Sequence, residues 1–262
     1  IEEAFTLGRT PKSEIVPKIY EDYDKAAEGL PEKYTGVSSL RATKGAALAL
    51  KARFALYMGD WEIAADAAKK CMDLGLYKLH ADYAELFLTT TKNSEESIFL
   101  LPRSIEYKVT LGNWTVMNEV SRNPGGWGAF APSWDLLAAY ECIDGLPIDE
   151  SPLFDPQNPF KNRDPRCTAT IVEFGTRHLG FDYNPHPDAV EAQFASYNGL
   201  LWKKGIDETW LENGKDVDLD KIIIRYADVL LMYAEAKIEL NQIDQSVLDA
   251  INRVRALSLI HI

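Results

Sequence analysis

Thr43-Lys44-Gly45-Ala46-Ala47-Leu48-Ala49-Leu50-Lys51-Ala52-Arg53-Phe54-Ala55-Leu56-Tyr57-Met58, followed by Gly59-Asp60-Trp61, is the stretch that decides the fold. Leu48, Ala52, Ala55 and Leu56 fall on one helical face at spacings of three and four. Gly59-Asp60 breaks the pattern. Asp60 is placed to cap a second helix, which carries Ala64, Ala67, Ala68, Cys71 and Leu74 on one face. Gly75 suits its C-terminal cap. Small side chains on both faces let two helices approach closely.

The span from Thr43 to Gly75 suits a tetratricopeptide-like hairpin, whose repeat is about 34 residues. Upstream, a helix capped by Ser13 is expected to run to about Gly29, with Pro17 in its first turn and Leu30-Pro31 as its stop. Near the other end, Ile222 to Leu240 carries Tyr226, Leu230, Tyr233 and Lys237 at helical spacing. Asn241 and Asp244 make a turn, and Val247, Ile251 and Val254 form the next stripe. Pro102 to Leu219 differs: it is rich in Pro, Gly, Asn and aromatic residues and has little periodicity. Ser97–Leu101 and Thr168–Phe174 are the expected strands there, and Ser133–Tyr140 a short helix. The fold class is therefore all-α: tetratricopeptide-like helical hairpins with a long loop-rich insertion carrying a few short strands. Residues 1–262 are expected to form a single domain. Within it, 13–75 is the helical scaffold, 102–219 the loop-rich region and 221–256 a C-terminal helical hairpin.

Composition narrows the function. The 40 acidic and 28 basic residues leave a net charge of −12. Nucleic-acid binding would need a basic stripe, and only Lys69-Lys70 and Lys203-Lys204 pair up. The most apolar stretch, Ile222 to Ala236, is interrupted by Arg225, Asp228 and Glu235 and is too short to span a bilayer. Cys71, Cys142 and Cys167 lie far apart, so no zinc site is indicated. The histidines show no HExxH spacing, and no glycine-rich phosphate motif occurs, so no cofactor is indicated. Asp216-Val217-Asp218-Leu219-Asp220 lacks the glycine and distal glutamate of a calcium loop. With Glu2-Glu3 and Glu95-Glu96, it reads as a solvated face. Asn162-Arg163-Asp164-Pro165-Arg166 reads as a structural turn before a strand-like Cys167–Val172.

Several segments together resemble the SusD/RagB family. They are Arg41 to Arg53 with Leu56-Tyr57-Met58-Gly59-Asp60-Trp61; Asp22-Tyr23-Asp24-Lys25-Ala26 with Leu30-Pro31; Pro132 to Glu141 with Asp144-Gly145; Asn162 to Arg166; and Ile224 to Ala236 with Ala250 to Arg255. The resemblance implies an all-α scaffold with an irregular part packed on it. It also implies a non-enzymatic, lipid-anchored protein on the outward-facing surface of the cell outer membrane. Such a protein binds glycans or other nutrients above a SusC-like TonB-dependent transporter. The chain lacks the family's N-terminal lipoprotein signal and N-terminal helices, and the ending Leu257 to Ile262 matches no family tail.

Sugar recognition needs flat aromatic faces for the apolar side of a pyranose and planar polar groups for its hydroxyls. The loop Ser104 to Ala131 supplies that mixture. Its candidate ligand-binding residues are Asn113, Trp114, Asn118, Arg122, Trp127 and Phe130, with Tyr107 and Asn123 nearby. Gly125-Gly126 and Gly128 free the backbone to present Trp127. Trp61 and Trp134 read as core, and Trp202 and Trp210 as rim. No catalytic or metal-binding residue is indicated. The rival readings are a protein-binding tetratricopeptide scaffold and a glycoside hydrolase, the latter requiring a closely spaced carboxyl pair.

Overall fold

Thr43 opens the deciding hairpin as a helix cap: its hydroxyl accepts from the Ala46 amide at 3.2 Å, satisfying one of the donors a helix start leaves unpaired. A computed structural model of the chain describes residues 8–111 and 113–256. It divides into two units. The first comprises Ile1–Lys78, Glu95–Leu100 and Ile223–Ile251; the second comprises Leu79–Ser94, Leu101–Ile222 and Asn252–Ile262.

In the first unit, helices α1 (Lys12–Gly29), α2 (Lys44–Met58) and α3 (Trp61–Asp73) follow one another. Gly59 ends α2 in the left-handed region at φ 77°, where a side chain would be strained. The small residues do what their spacing predicts. Ala49, Ala52, Ala55, Ala64, Ala68 and Cys71 are all fully buried. Ala55, Ala64 and Ala65 meet Ala236 in one cluster. Gly45 is packed so tightly that a Cβ there would lie 2.0 Å from the Tyr77 hydroxyl. These are tetratricopeptide-like antiparallel helices, as the periodicity predicts.

Several expectations change. Pro11, not Ser13, occupies the cap position of α1, so Pro17 lies inside the helix. Asp60 sits at the start of α3 without capping it; its carboxylate instead accepts from the Tyr20 hydroxyl at 2.5 Å. That bond and, first, burial push the Tyr20 phenol above its usual range. Trp61 is half-buried, not core.

The helix expected from Ile222 begins only at Tyr226. Lys221–Arg225 is a strand paired with Ser97–Leu101. Ile222-Ile223-Ile224 is a β-branched run that a strand accommodates well. A capping box then starts helix α8 (Tyr226–Glu239): the Arg225 amide donates to the Asp228 carboxylate at 2.9 Å. After a turn in which Asn241 adopts φ 55°, α9 (Gln245–Arg255) buries Val247 and Ala250.

Glu96 is not part of a solvated face. It is fully buried, and its carboxylate accepts from the Arg225 guanidinium at 2.7 Å. The second unit corrects the other acidic run in the same way. Asp218 and Asp220 both pair with Lys92, and Asp220 accepts from the Arg103 amide at 2.7 Å.

The second unit holds α4 (Asn113–Glu119), α5 (Trp134–Ala139), α6 (Pro165–Thr170) and α7 (Thr209–Glu212), with a two-stranded antiparallel ladder of Thr176–His178 on Phe181–Tyr183. The strand expected at Thr168–Phe174 does not form: Thr168–Thr170 close helix α6, and the chain then leaves it. Asp164 caps α6 by accepting from the Arg166 amide at 2.8 Å, and Pro165 suits its first turn. Only Ile171 bridges Trp202. Arg163 donates to the carbonyls of Pro159, Leu137 and Tyr140. The Asn162–Arg166 cluster is therefore structural, as expected. Cys71, Cys142 and Cys167 are buried free thiols.

Glu96→Ala is expected to destabilise the protein by about 3 kcal/mol, because it removes the carboxylate that pairs with a largely buried guanidinium. Chemical denaturation measures it, and a loss below about 1 kcal/mol would show that water compensates Arg225.

Candidate functional site

Helix α4 is short, and its inward side chains decide its outward ones. Val116 and Val120 pack with Leu179, Ile206, Trp210 and Val217. That seating leaves Trp114 pointing outward, 70% exposed. Past Ser121 the chain turns, with the Gly125 amide donating to the Arg122 carbonyl at 3.0 Å, and runs back beside the segment it has just left. Four main-chain bonds hold this strap. The Trp127 amide donates to Met117, Gly128 to Val120, Gly126 to Ser121 and Phe130 to Asn118, all within 2.9 Å. Gly126 is required: a Cβ there would lie 2.2 Å from the Val120 carbonyl oxygen.

The strap brings the Trp127 indole onto Trp114, with ring centroids 4.5 Å apart and planes at 88°. Edge-to-face contact of this kind is favourable between aromatic rings. Trp127 and Phe130 remain exposed. Of the predicted residues, Trp114 and Trp127 are therefore brought into contact, and Phe130 is exposed three residues further along the strap.

The remaining candidates are placed differently. The Asn113 side chain lies outside the described residues. Asn118 is buried, and its amide donates to the Trp114 carbonyl at 2.8 Å, so it secures the helix. Arg122 is exposed; its guanidinium donates to the Ala195 carbonyl at 3.1 Å and its amide to Phe194. Asn123 reaches the Asp182 carbonyl, and Tyr107 is exposed on its own loop.

Two aromatic residues of the same unit escape the sequence reading. Tyr197 is fully exposed, and Trp134, expected in the core, is 49% exposed. Both belong to a continuous framework. Phe194–Gly199 accepts from Arg122 at one end. At the other, Asn198 donates to the Pro132 carbonyl at 2.7 Å and accepts the Trp134 indole N–H on its own carbonyl at 3.1 Å. Trp210, expected at the rim, is fully buried, and Trp202 packs against the same cluster. The only signal for Trp134 is its place at the first position of α5, where Ser133 caps by accepting from Leu136.

Electrostatics near this surface are dominated by burial. Burial raises the Glu119 carboxyl. Burial, and then the neighbouring Lys203 charge, lowers His178 to about 4. Among the described residues, no group of three His, Cys, Asp or Glu side chains is arranged to hold a metal.

The SusD family profile matches residues 95–256. A SusD-like protein, P25, of Formosa agariphila is 24% identical over 97% of this chain and 49% of its own length. A solved SusD-like carbohydrate-binding protein of Bacteroides fragilis is 32% identical, with TM-score 0.86, over 98% of this chain and 52% of its own. A second solved SusD-like protein of Bacteroides fragilis is 27% identical, with TM-score 0.74, over 95% and 53%. The chain belongs to the SusD family and spans about half the length of these relatives.

Two measurements check this geometry. Gly126→Ala should cost about 2 kcal/mol, because the strap must part from Val120; an unchanged melting temperature would contradict the close approach. For His178 the folded pKa lies below the unfolded value of 6.5. The stability it confers is present above pH 6.5 and is lost as pH falls toward about 4. His178→Gln should remove up to about 3 kcal/mol of that pH dependence; identical pH profiles would show that the imidazole is solvated. Glu119 slopes the opposite way in both proteins, so it cancels in the comparison.

Proposed function

We propose that this chain is the glycan-holding portion of a nutrient-capture protein. It binds an oligosaccharide at the Trp114–Trp127–Phe130 surface by stacking and hydrogen bonds, and it performs no covalent chemistry. The protein works at the outward face of the outer membrane, tethered by a lipid anchor. There it delivers its glycan to a SusC-like TonB-dependent transporter.

One observation carries the binding role: two indoles touch each other and still face solvent. Large exposed apolar surface is costly unless a partner covers it, and indole faces match the C–H side of a sugar ring. Arg122, exposed in the turn that leads into the strap, has guanidinium donors beyond the one spent on the Ala195 carbonyl. The relative from Bacteroides fragilis described as carbohydrate-binding points the same way. The delivery step and the surface location rest on family membership.

Isothermal calorimetry of the full-length protein against malto-, xylo-, cello- and laminari-oligosaccharides tests the binding role. Trp114→Ala and Trp127→Ala should each weaken the best binder about fivefold, from stacking of about 1 kcal/mol per ring. Tyr57→Ala, exposed on α2, should leave binding unchanged. Equal affinities in all four proteins would refute the assignment. Co-purification with a membrane transporter from native outer membranes tests the delivery step.

A further inference from the structure

Resting on that reading, we infer that the groove beside Trp134 is a second sugar subsite of the same surface, so that the ligand is a chain long enough to reach both. The groove, of about 760 Å³, is floored by Trp134 and Phe174. Their rings meet edge-on, 6.5 Å apart between centroids. Pro156 and Pro159 stand among its walls, as do Pro185 and Pro187, with Gln157 and His186 also lining it.

Three features fit a pyranose ring. First, the Trp134 indole N–H is already spent on the Asn198 carbonyl, so what the residue offers is its flat face. Second, proline rings present C–H and no N–H donor, which gives the groove apolar facets between its polar side chains. Third, Gln157 and Asn158 line the groove from exposed positions and can turn toward hydroxyls.

Continuity with the first patch identifies the occupant. Gly128 in the strap packs on Ser196, where its Cβ would be 3.1 Å from the Ser196 Cα. Two residues on, Asn198 grips Pro132 and Trp134. Between them Tyr197 is completely exposed. The strap and the Phe194–Gly199 segment therefore set Trp114, Trp127 and Phe130, then Tyr197, then Trp134, on one connected framework. The stretch from Trp127 to Trp134 can extend at most about 25 Å, which bounds the separation of the two patches.

The test is a length series of the best-binding oligosaccharide, from disaccharide to octasaccharide, titrated into the full-length protein. In the parent, affinity should rise with length until both patches are filled. Trp134→Ala should abolish the last step of that rise, weakening the longest members about fivefold and leaving the disaccharide unchanged. Gln157→Trp, which fills the groove from an exposed position, should do the same without removing a packed ring. Trp114→Ala should weaken every length. Long ligands bound as tightly by both groove variants as by the parent would overturn the second subsite and leave the first intact. Loss at no length with Trp114→Ala would instead overturn the first, and absence of binding by every sugar would overturn both.

Discussion

A long irregular segment has to satisfy its own backbone, and that requirement shapes everything on the second unit. Buried amides and carbonyls without partners are expensive, and between Leu101 and Ile222 few of them are paired in strands. The chain solves this piecewise. Segments run back along themselves, as 126–130 does beside 117–121. Asp and Asn side chains close small turns, as at Asp144, Asp155 and Asp207. A buried arginine collects stray carbonyls, as Arg163 does with three. Each device also fixes a side chain nearby. Around the exposed indoles, four amide-to-carbonyl bonds fix the strap that sets Trp127 against Trp114.

The first unit meets the same requirement with helices and has a different problem, which is distance. Alanine and glycine at the facing positions of α2, α3 and α8 remove the side chains that would hold those helices apart. Small groups bury little apolar area each, so the gain comes from close dispersion contacts along the whole length. Within this unit the Glu96–Arg225 pair ties the start of α8 to the residue that leads into the strand Ser97–Leu101.

How much of this is legible in the sequence depends on how local the cause is. The hairpin at 43–75 is readable because spacing, cap and turn glycine agree within one short stretch. The loop-rich character of 102–219, and the grouping of Trp114, Trp127 and Phe130, are readable from composition and from the glycines between them. Lys221–Arg225 is not, because a short apolar run fits a strand or a buried helix equally well. Thr168–Phe174 misleads because its β-branched residues are overruled by the Asp164 cap and Pro165. Trp134 and Trp210 are misjudged together. Their exposure is decided by partners far along the chain, such as Asn198 for Trp134 and Val116 for Trp210. Glu96 and Asp220 look like surface charges for the same reason, since Arg225 and Lys92 are distant in sequence.

The 88° between the two touching indoles has a geometric corollary. Planes set at a right angle cannot both lie against one flat sheet. A crystalline fibre, offering a level face, would meet one ring and miss the other. On the proposed reading, a single strand free to curl would press one unit on each wall of the corner, which would favour loose, solvated polymer over packed solid.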